Sequence, residues 1–172
     1  VLYIADEVQP GFARTGTHMW GYQRHGIVPD LVAMGKPMGN GMPIAAVVAR
    51  HDVIEEFGRT ARYFNTFAAN SVTIAAASAV LDVIEEEGLL TRCAEAGRTL
   101  ADEFKRICDD FPFMGSVRSA GLYFGIDVNR DEGDGGGDPA QAMRLVNQLR
   151  DQQVLISATG PTGSVLKVRP PL

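Results

Sequence analysis

Two rhythms of apolar and polar positions alternate along this chain. Val1-Leu2-Tyr3-Ile4-Ala5 is a short unbroken apolar run ending at Asp6, the pattern of a buried parallel strand. Leu31 to Met34 repeats it and ends at Gly35-Lys36, and Ile44 to Ala49 gives a third strand entered through Pro43. Between them, Gln9 to Gly16 carries one Pro and two Gly and reads as a loop. From Val72 the period changes. Ile74, Ala77, Leu81 and Ile84 recur at spacings of three and four, which predicts a long helix stopped by Gly88. A second helix is predicted from Leu89 to Asp110. Its stripe of Leu90, Cys93, Gly97, Leu100, Phe104, Ile107 and Phe111 would also suit a coiled coil, but in a mixed chain it is expected to cover a sheet. Strands follow at Ser116 to Ser119 and Leu122 to Val128. Then come a mobile exposed turn at Asp131 to Asp138, a helix at Ala140 to Asp151, and strands at Val154 to Ser157 and Ser164 to Arg169. Both halves are α/β, with a boundary near residues 86 to 90 and no internal repeat.

Composition narrows the classes. The chain has 172 residues, 45% apolar and 22% charged, a globular balance. No apolar run approaches the roughly 20 residues that span a bilayer, so no membrane partner is expected. Sixteen Lys and Arg against twenty-one Asp and Glu leave a net charge of −5, which argues against a basic nucleic-acid binder. The chain opens inside an apolar run without Met and stops at Pro170-Pro171-Leu172, so it is expected to be an internal piece of a longer protein. Cys93 and Cys108 both fall on one helix stripe and read as buried free thiols in a reducing compartment.

Ligands of α/β proteins usually sit at strand ends. Two such ends carry opposite charges here, Asp6 and Lys36. Lys36 lies in Met34-Gly35-Lys36-Pro37-Met38-Gly39-Asn40-Gly41, whose glycines let backbone approach a ligand. A nucleotide phosphate loop is excluded, because Pro37 fills the position that needs Ser or Thr. Thr66, in Tyr63-Phe64-Asn65-Thr66-Phe67-Ala68-Ala69-Asn70, stands just before a long helix, where a hydroxyl and free N–H groups suit a phosphate. Glu7, Arg14 and Trp20 read as structural. A carboxylate, a loop Lys and a phosphate-type helix start together suggest pyridoxal phosphate.

At this point the sequence resembles a known family. Ala5-Asp6-Glu7-Val8-Gln9 with Gly11-Phe12 and Arg14-Thr15-Gly16 is similar to the signature of the class III (ornithine/alanine–glyoxylate type) aminotransferases. Val117-Arg118 through Gly121-Leu122 and Gly125 resembles a segment of that family's small domain, with Ser119 in place of the usual Gly. The resemblance covers essentially the whole chain, but only the later half of the family's. It implies an α/β fold, pyridoxal-phosphate transferase fold type I. Residues 1–88 would be part of the large cofactor-binding domain with the interdomain helix, and 89–172 the small C-terminal domain. It also implies roles. Lys36 would form the Schiff base, Asp6 would keep the pyridine nitrogen protonated, Gln9 would contact the ring-hydroxyl side, and Thr66 would bind the phosphate across a homodimer interface. A free Lys, with a pKa of about 10.4, needs burial and the imine to act as a proton shuttle near neutrality.

The tail departs from the commoner pattern. Most transaminases of this class carry an Arg three residues before the Pro-Pro pair, to hold a substrate carboxylate; here that position is Lys167, with Arg169 two residues on and expected on the same strand face. Lys is a poorer carboxylate fork than Arg. This tail, with Gly39-Asn40-Gly41 and the Tyr63–Phe67 segment, resembles the phospho-lyase branch. The expected activity is therefore amino transfer from an amine or amino acid to a keto acid in a cytoplasmic homodimer. Phosphate elimination from a phosphorylated amino alcohol, or a non-catalytic cofactor-binding domain, are the alternatives.

Overall fold

A computed structural model describes residues 1–130 and 136–172. The chain divides into two units, Val1–Thr91 and Arg92–Leu172. The first holds a three-stranded sheet of β1 (Ile4–Asp6), β2 (Leu31–Met34) and β3 (Ala46–Ala49), in that order. β1 and β2 are parallel, with Asp6 opposite Ala33, but β3 runs antiparallel to β2. The expectation of parallel strands therefore fails at β3. Its physical reason is the connection: between Met34 and Ala46 the chain makes only a short 3₁₀ turn, Lys36–Gly39, whereas a parallel return needs a crossover of a dozen or more residues.

Burial of the first strand also differs. Of Val1 to Ala5 only Ala5 is buried, and the ladder begins at Ile4, because among the described residues β1 is an edge strand. Two helices follow. α1 (His51–Thr60) went unread in the sequence, although Val53, Ile54 and Phe57 share one face at helical spacing. α2 (Ser71–Glu86) starts where the Asn70 side chain accepts hydrogen bonds from the Val72 and Thr73 N–H groups. The Lys36–Gly39 turn packs against α2.

The second unit is an antiparallel sheet in the order β4 (Met114–Ala120), β5 (Tyr123–Val128), β7 (Val165–Val168), β6 (Ser157–Thr159). It is covered by α3 (Leu89–Asp109) and α4 (Pro139–Asp151). Strict alternation along β5 drives Phe124, Ile126 and Val128 inward. Cys93, Leu100, Ala101 and Phe104 of α3 pack on Leu122 and Phe124, so the helix stripe covers the sheet, as expected. Gly97 has a steric reason: a Cβ there would lie 2.5 Å from the Gly121 carbonyl oxygen. Both cysteines are buried and neither is in a disulfide, and burial pushes the Cys108 thiol pKa up.

The strand expected at Val154–Ser157 lies two to three residues later. The Val154 N–H still donates to the Leu149 carbonyl as the end of α4, Gln153 takes a left-handed φ of 64°, and Leu155 is 84% exposed. The turn expected at Asp131–Asp138 falls mostly on residues 131–135, outside the described residues. After it, Gly137 bridges Asn129 and Asp138 caps α4. Among the described residues no helix is long and apolar enough to cross a membrane.

Candidate active site

Because β1 and β2 run parallel side by side, their C-terminal ends open on the same edge of the sheet. Asp6 is the last residue of β1. Its carboxylate Oδ1 accepts from the Val8 N–H at 3.1 Å, and the side chain is exposed. Lys36 follows β2 by two residues, is also exposed, and takes a left-handed φ of 27°. For a residue with a Cβ that conformation costs about 1–2 kcal/mol, so the surrounding turn must hold it. It does: Met38 N–H donates to the Gly35 carbonyl and Met42 N–H to that of Gly39, while a Cβ on Gly39 would come within 2.7 Å of Ile44.

Gln9 lies in the turn just beyond β1, half-buried, so three predicted residues share one sheet edge: Asp6, Gln9 and Lys36. A carboxylate, an amide and a primary amine form a donor set that fits pyridoxal phosphate, which offers a basic ring nitrogen, a ring hydroxyl and an aldehyde. Thr66 is carried by neither strand end. It lies in the wholly exposed segment 61–70 that leads into α2, beside Tyr63, Phe64 and Phe67. Lys167 and Arg169 belong to the second unit. Lys167 is half-buried on β7, opposite Gly125 of β5 and Ser157 of β6. β7 ends at Val168, so Arg169 lies outside the strand whose alternation was expected to set its face.

A groove of about 1120 Å³ opens elsewhere in the first unit, lined by Ala33, Val47, Ile54, Phe57, Tyr63 and Phe67 among others. Asp6 and Lys36 are not among its lining residues. Among the described residues this largely apolar trough carries no carboxylate, amine, imidazole or thiol, only the Tyr63 phenol, and is poorly equipped for acid–base chemistry near neutrality.

Two features escaped the sequence. The loop after Gln9 is built on strain and burial: Phe12 and Ala13 are buried with left-handed φ of 59° and 65°, and Phe12 meets the Trp20 ring edge-on at 5.0 Å. In the second unit Arg118 pairs through both terminal nitrogens with the Asp127 carboxylate, which raises the guanidinium pKa further. The pair reaches across the β4–β5 ladder, with the Arg118 Nη2 3.8 Å from where a Gly125 Cβ would stand. An Asp nine residues after an Arg, across a Gly-containing turn, was the only available signal.

The aminotransferase class-III family model matches residues 1–172. An alanine–glyoxylate aminotransferase 2-like protein of Drosophila melanogaster is 42% identical over 171 residues, covering 98% of this chain and 35% of its own. Alanine–glyoxylate aminotransferase 2 homolog 2, mitochondrial, of Arabidopsis thaliana is 40% identical, over 99% of this chain and 35% of its own. Among solved structures, a phospholyase from Arthrobacter in complex with phosphoethanolamine superposes with a TM-score of 0.93 at 46% identity, over 99% of this chain and 40% of that one. The chain thus spans little more than a third of the length of the curated relatives it matches. With a family model covering every residue, and signature residues on one edge of a partly parallel sheet, this chain belongs to the class III aminotransferase family, whose members depend on pyridoxal phosphate.

Proposed function

We propose that the full-length protein is a pyridoxal-phosphate-dependent aminotransferase that moves an amino group from an amine or amino acid to a keto acid. The observation that carries this reading is the pair Asp6 and Lys36 at the C-terminal ends of adjacent parallel strands. When bound, the cofactor supplies an electron sink for the pair left behind when a bond to the amine-bearing carbon breaks. Asp6 holds the proton on the ring nitrogen, which keeps that sink electron-poor. Gln9 donates its amide hydrogen toward the ring-hydroxyl side. Lys36 Nζ would hold the cofactor through its amine and, as a free amine, would take the proton from the amine-bearing carbon of the substrate. Its left-handed backbone and the Gly35–Gly41 turn fix where that nitrogen starts. Thr66 donates its hydroxyl to the phosphate of the neighbouring subunit's cofactor in a homodimer. The exposed aromatics around it support a surface that a second copy covers.

A second reading is favoured by a specific residue. Where the commoner pattern has a carboxylate-binding Arg, this chain has Lys167, a point charge better matched to one phosphate oxygen than to a bidentate carboxylate. Together with the 46% identity to a phospholyase, it supports elimination of phosphate from a phosphorylated amino alcohol. Both reactions use Asp6 and Lys36, and only amino transfer consumes a keto acid. Incubating the full-length protein with phosphoethanolamine separates them. Amine loss that depends on added keto acid, without free phosphate, supports amino transfer; phosphate release without a keto acid supports elimination. The cytoplasmic location belongs to the same reading, against a relative named as mitochondrial, and fractionation of cells making the full-length protein tests it.

A further inference from the structure

Glu7 is 2% exposed, one of the largest fully buried side chains among the described residues. Every polar group it owns is engaged, and the partners come from three separate segments. Its N–H donates to the Ala33 carbonyl at 2.9 Å, continuing the β1–β2 ladder one step beyond Asp6. Its carbonyl accepts from Gly11 N–H at 3.2 Å. Its carboxylate is split between two backbone donors: Oε2 accepts from Gly21 N–H at 2.7 Å and Oε1 from Tyr22 N–H at 2.8 Å. A buried carboxylate costs several kcal/mol in solvation unless it is satisfied in this way, and charge-assisted bonds to N–H groups are about twice as strong as neutral ones.

The loop closed by these bonds, residues 8 to 20, packs tightly around that carboxylate. A Cβ on Gly21 would stand 2.6 Å from Pro10 and 3.3 Å from Glu7 Oε2, and a Cβ on Gly11 2.8 Å from the Glu7 carbonyl oxygen. Phe12 and Ala13 keep their left-handed backbone inside the same closure. Asp6 precedes Glu7 directly, Gln9 follows by two residues, and the two carboxylates part company in burial: Asp6 is exposed at the sheet edge while Glu7 is sealed beneath it. We infer that Glu7 is a positioning residue, whose buried carboxylate clamps the loop to the Gly21–Tyr22 backbone and thereby sets how Asp6 and Gln9 meet the cofactor ring. This rests on the cofactor reading of Asp6, Gln9 and Lys36 given above.

Glu7→Gln tests it, because the amide keeps the shape but turns an NH₂ toward a backbone N–H, so one of the two bonds becomes a donor–donor contact. The full-length protein is titrated with pyridoxal phosphate, and the visible circular dichroism of the bound cofactor, which reports how the ring is held, is recorded at saturation beside a melting curve without cofactor. The clamp predicts at least a tenfold weaker Kd and loss of about half or more of the induced signal at saturation. Glu7→Asp, which keeps one of the two bonds, should fall between wild type and Glu7→Gln. A Glu7→Gln protein that melts lower yet binds with unchanged Kd and an unchanged induced signal would make Glu7 merely structural and overturn the inference. If Glu7→Gln does not fold, Glu7→Asp alone decides, by the same two readouts. Wild-type protein that takes up no cofactor at Lys36 on borohydride reduction overturns the underlying reading instead, and the two failures are thereby told apart.

Discussion

At Asp6 the charge and the shape of one side chain can be separated. Asp6→Asn preserves the Oδ1 that accepts from Val8 N–H, so the turn into the loop is kept, but the charge proposed to hold a proton on the ring nitrogen is lost. The account predicts a fall in kcat of two decades or more, about 2.7 kcal/mol of barrier, with the melting temperature unchanged. A twofold loss would reduce Asp6 to a turn-capping residue. The site residues differ in how legible they were. The roles proposed for Asp6 and Lys36 rest on the whole set of motifs, but their positions at strand ends could be read because a charge after an apolar run marks where a strand stops. Glu7 could not, since its meaning depends on two backbone N–H groups fourteen and fifteen residues away. Gln9 is named only through resemblance, whereas Thr66 is marked by its place before a long helix, although Asn70 and not Thr66 caps that helix.

Elements were legible where periodicity was long and uninterrupted. α2, α3, α4 and β2 fall within about a residue of expectation, because each carries a full apolar stripe or run with a Gly, Asn or Asp at one end. β3 was found but its direction was not, since direction is set by the length of the connection rather than by the strand's own residues. β6 was displaced because Val154 and Leu155 look like a strand although the chain is still leaving α4 there. One cap gives a direct test. Asn70 Oδ1 accepts from both Val72 and Thr73 N–H groups at the start of α2, the helix against which the Lys36 turn packs. Asn70→Ala should cost about 1 kcal/mol and lower the melting temperature by a few degrees, as calorimetry of the full-length protein would show. Asn70→Asp should restore it, since aspartate supplies the same acceptor at a helix start.

Over the whole molecule, the residues proposed for the site lie in both units, and the relatives extend well beyond the span matched here. Tyr63, Phe64 and Phe67 are between 70% and 85% exposed, a concentration of aromatic surface that a soluble protein ordinarily covers. Residues 1–172 expressed alone are therefore expected to self-associate on a sizing column and to hold pyridoxal phosphate well below one equivalent, whereas the full-length protein should elute as a dimer with one per subunit. A soluble monomeric fragment binding a full equivalent would contradict the shared-site reading. The central claim, that Lys36 carries the cofactor in this chain, is tested most directly by borohydride reduction of the full-length protein with pyridoxal phosphate bound, followed by peptide mass mapping. A phosphopyridoxyl group is expected on Lys36 and is expected to be lost in Lys36→Ala; a label on another lysine, or none on Lys36, would rule out Lys36 as the carrier.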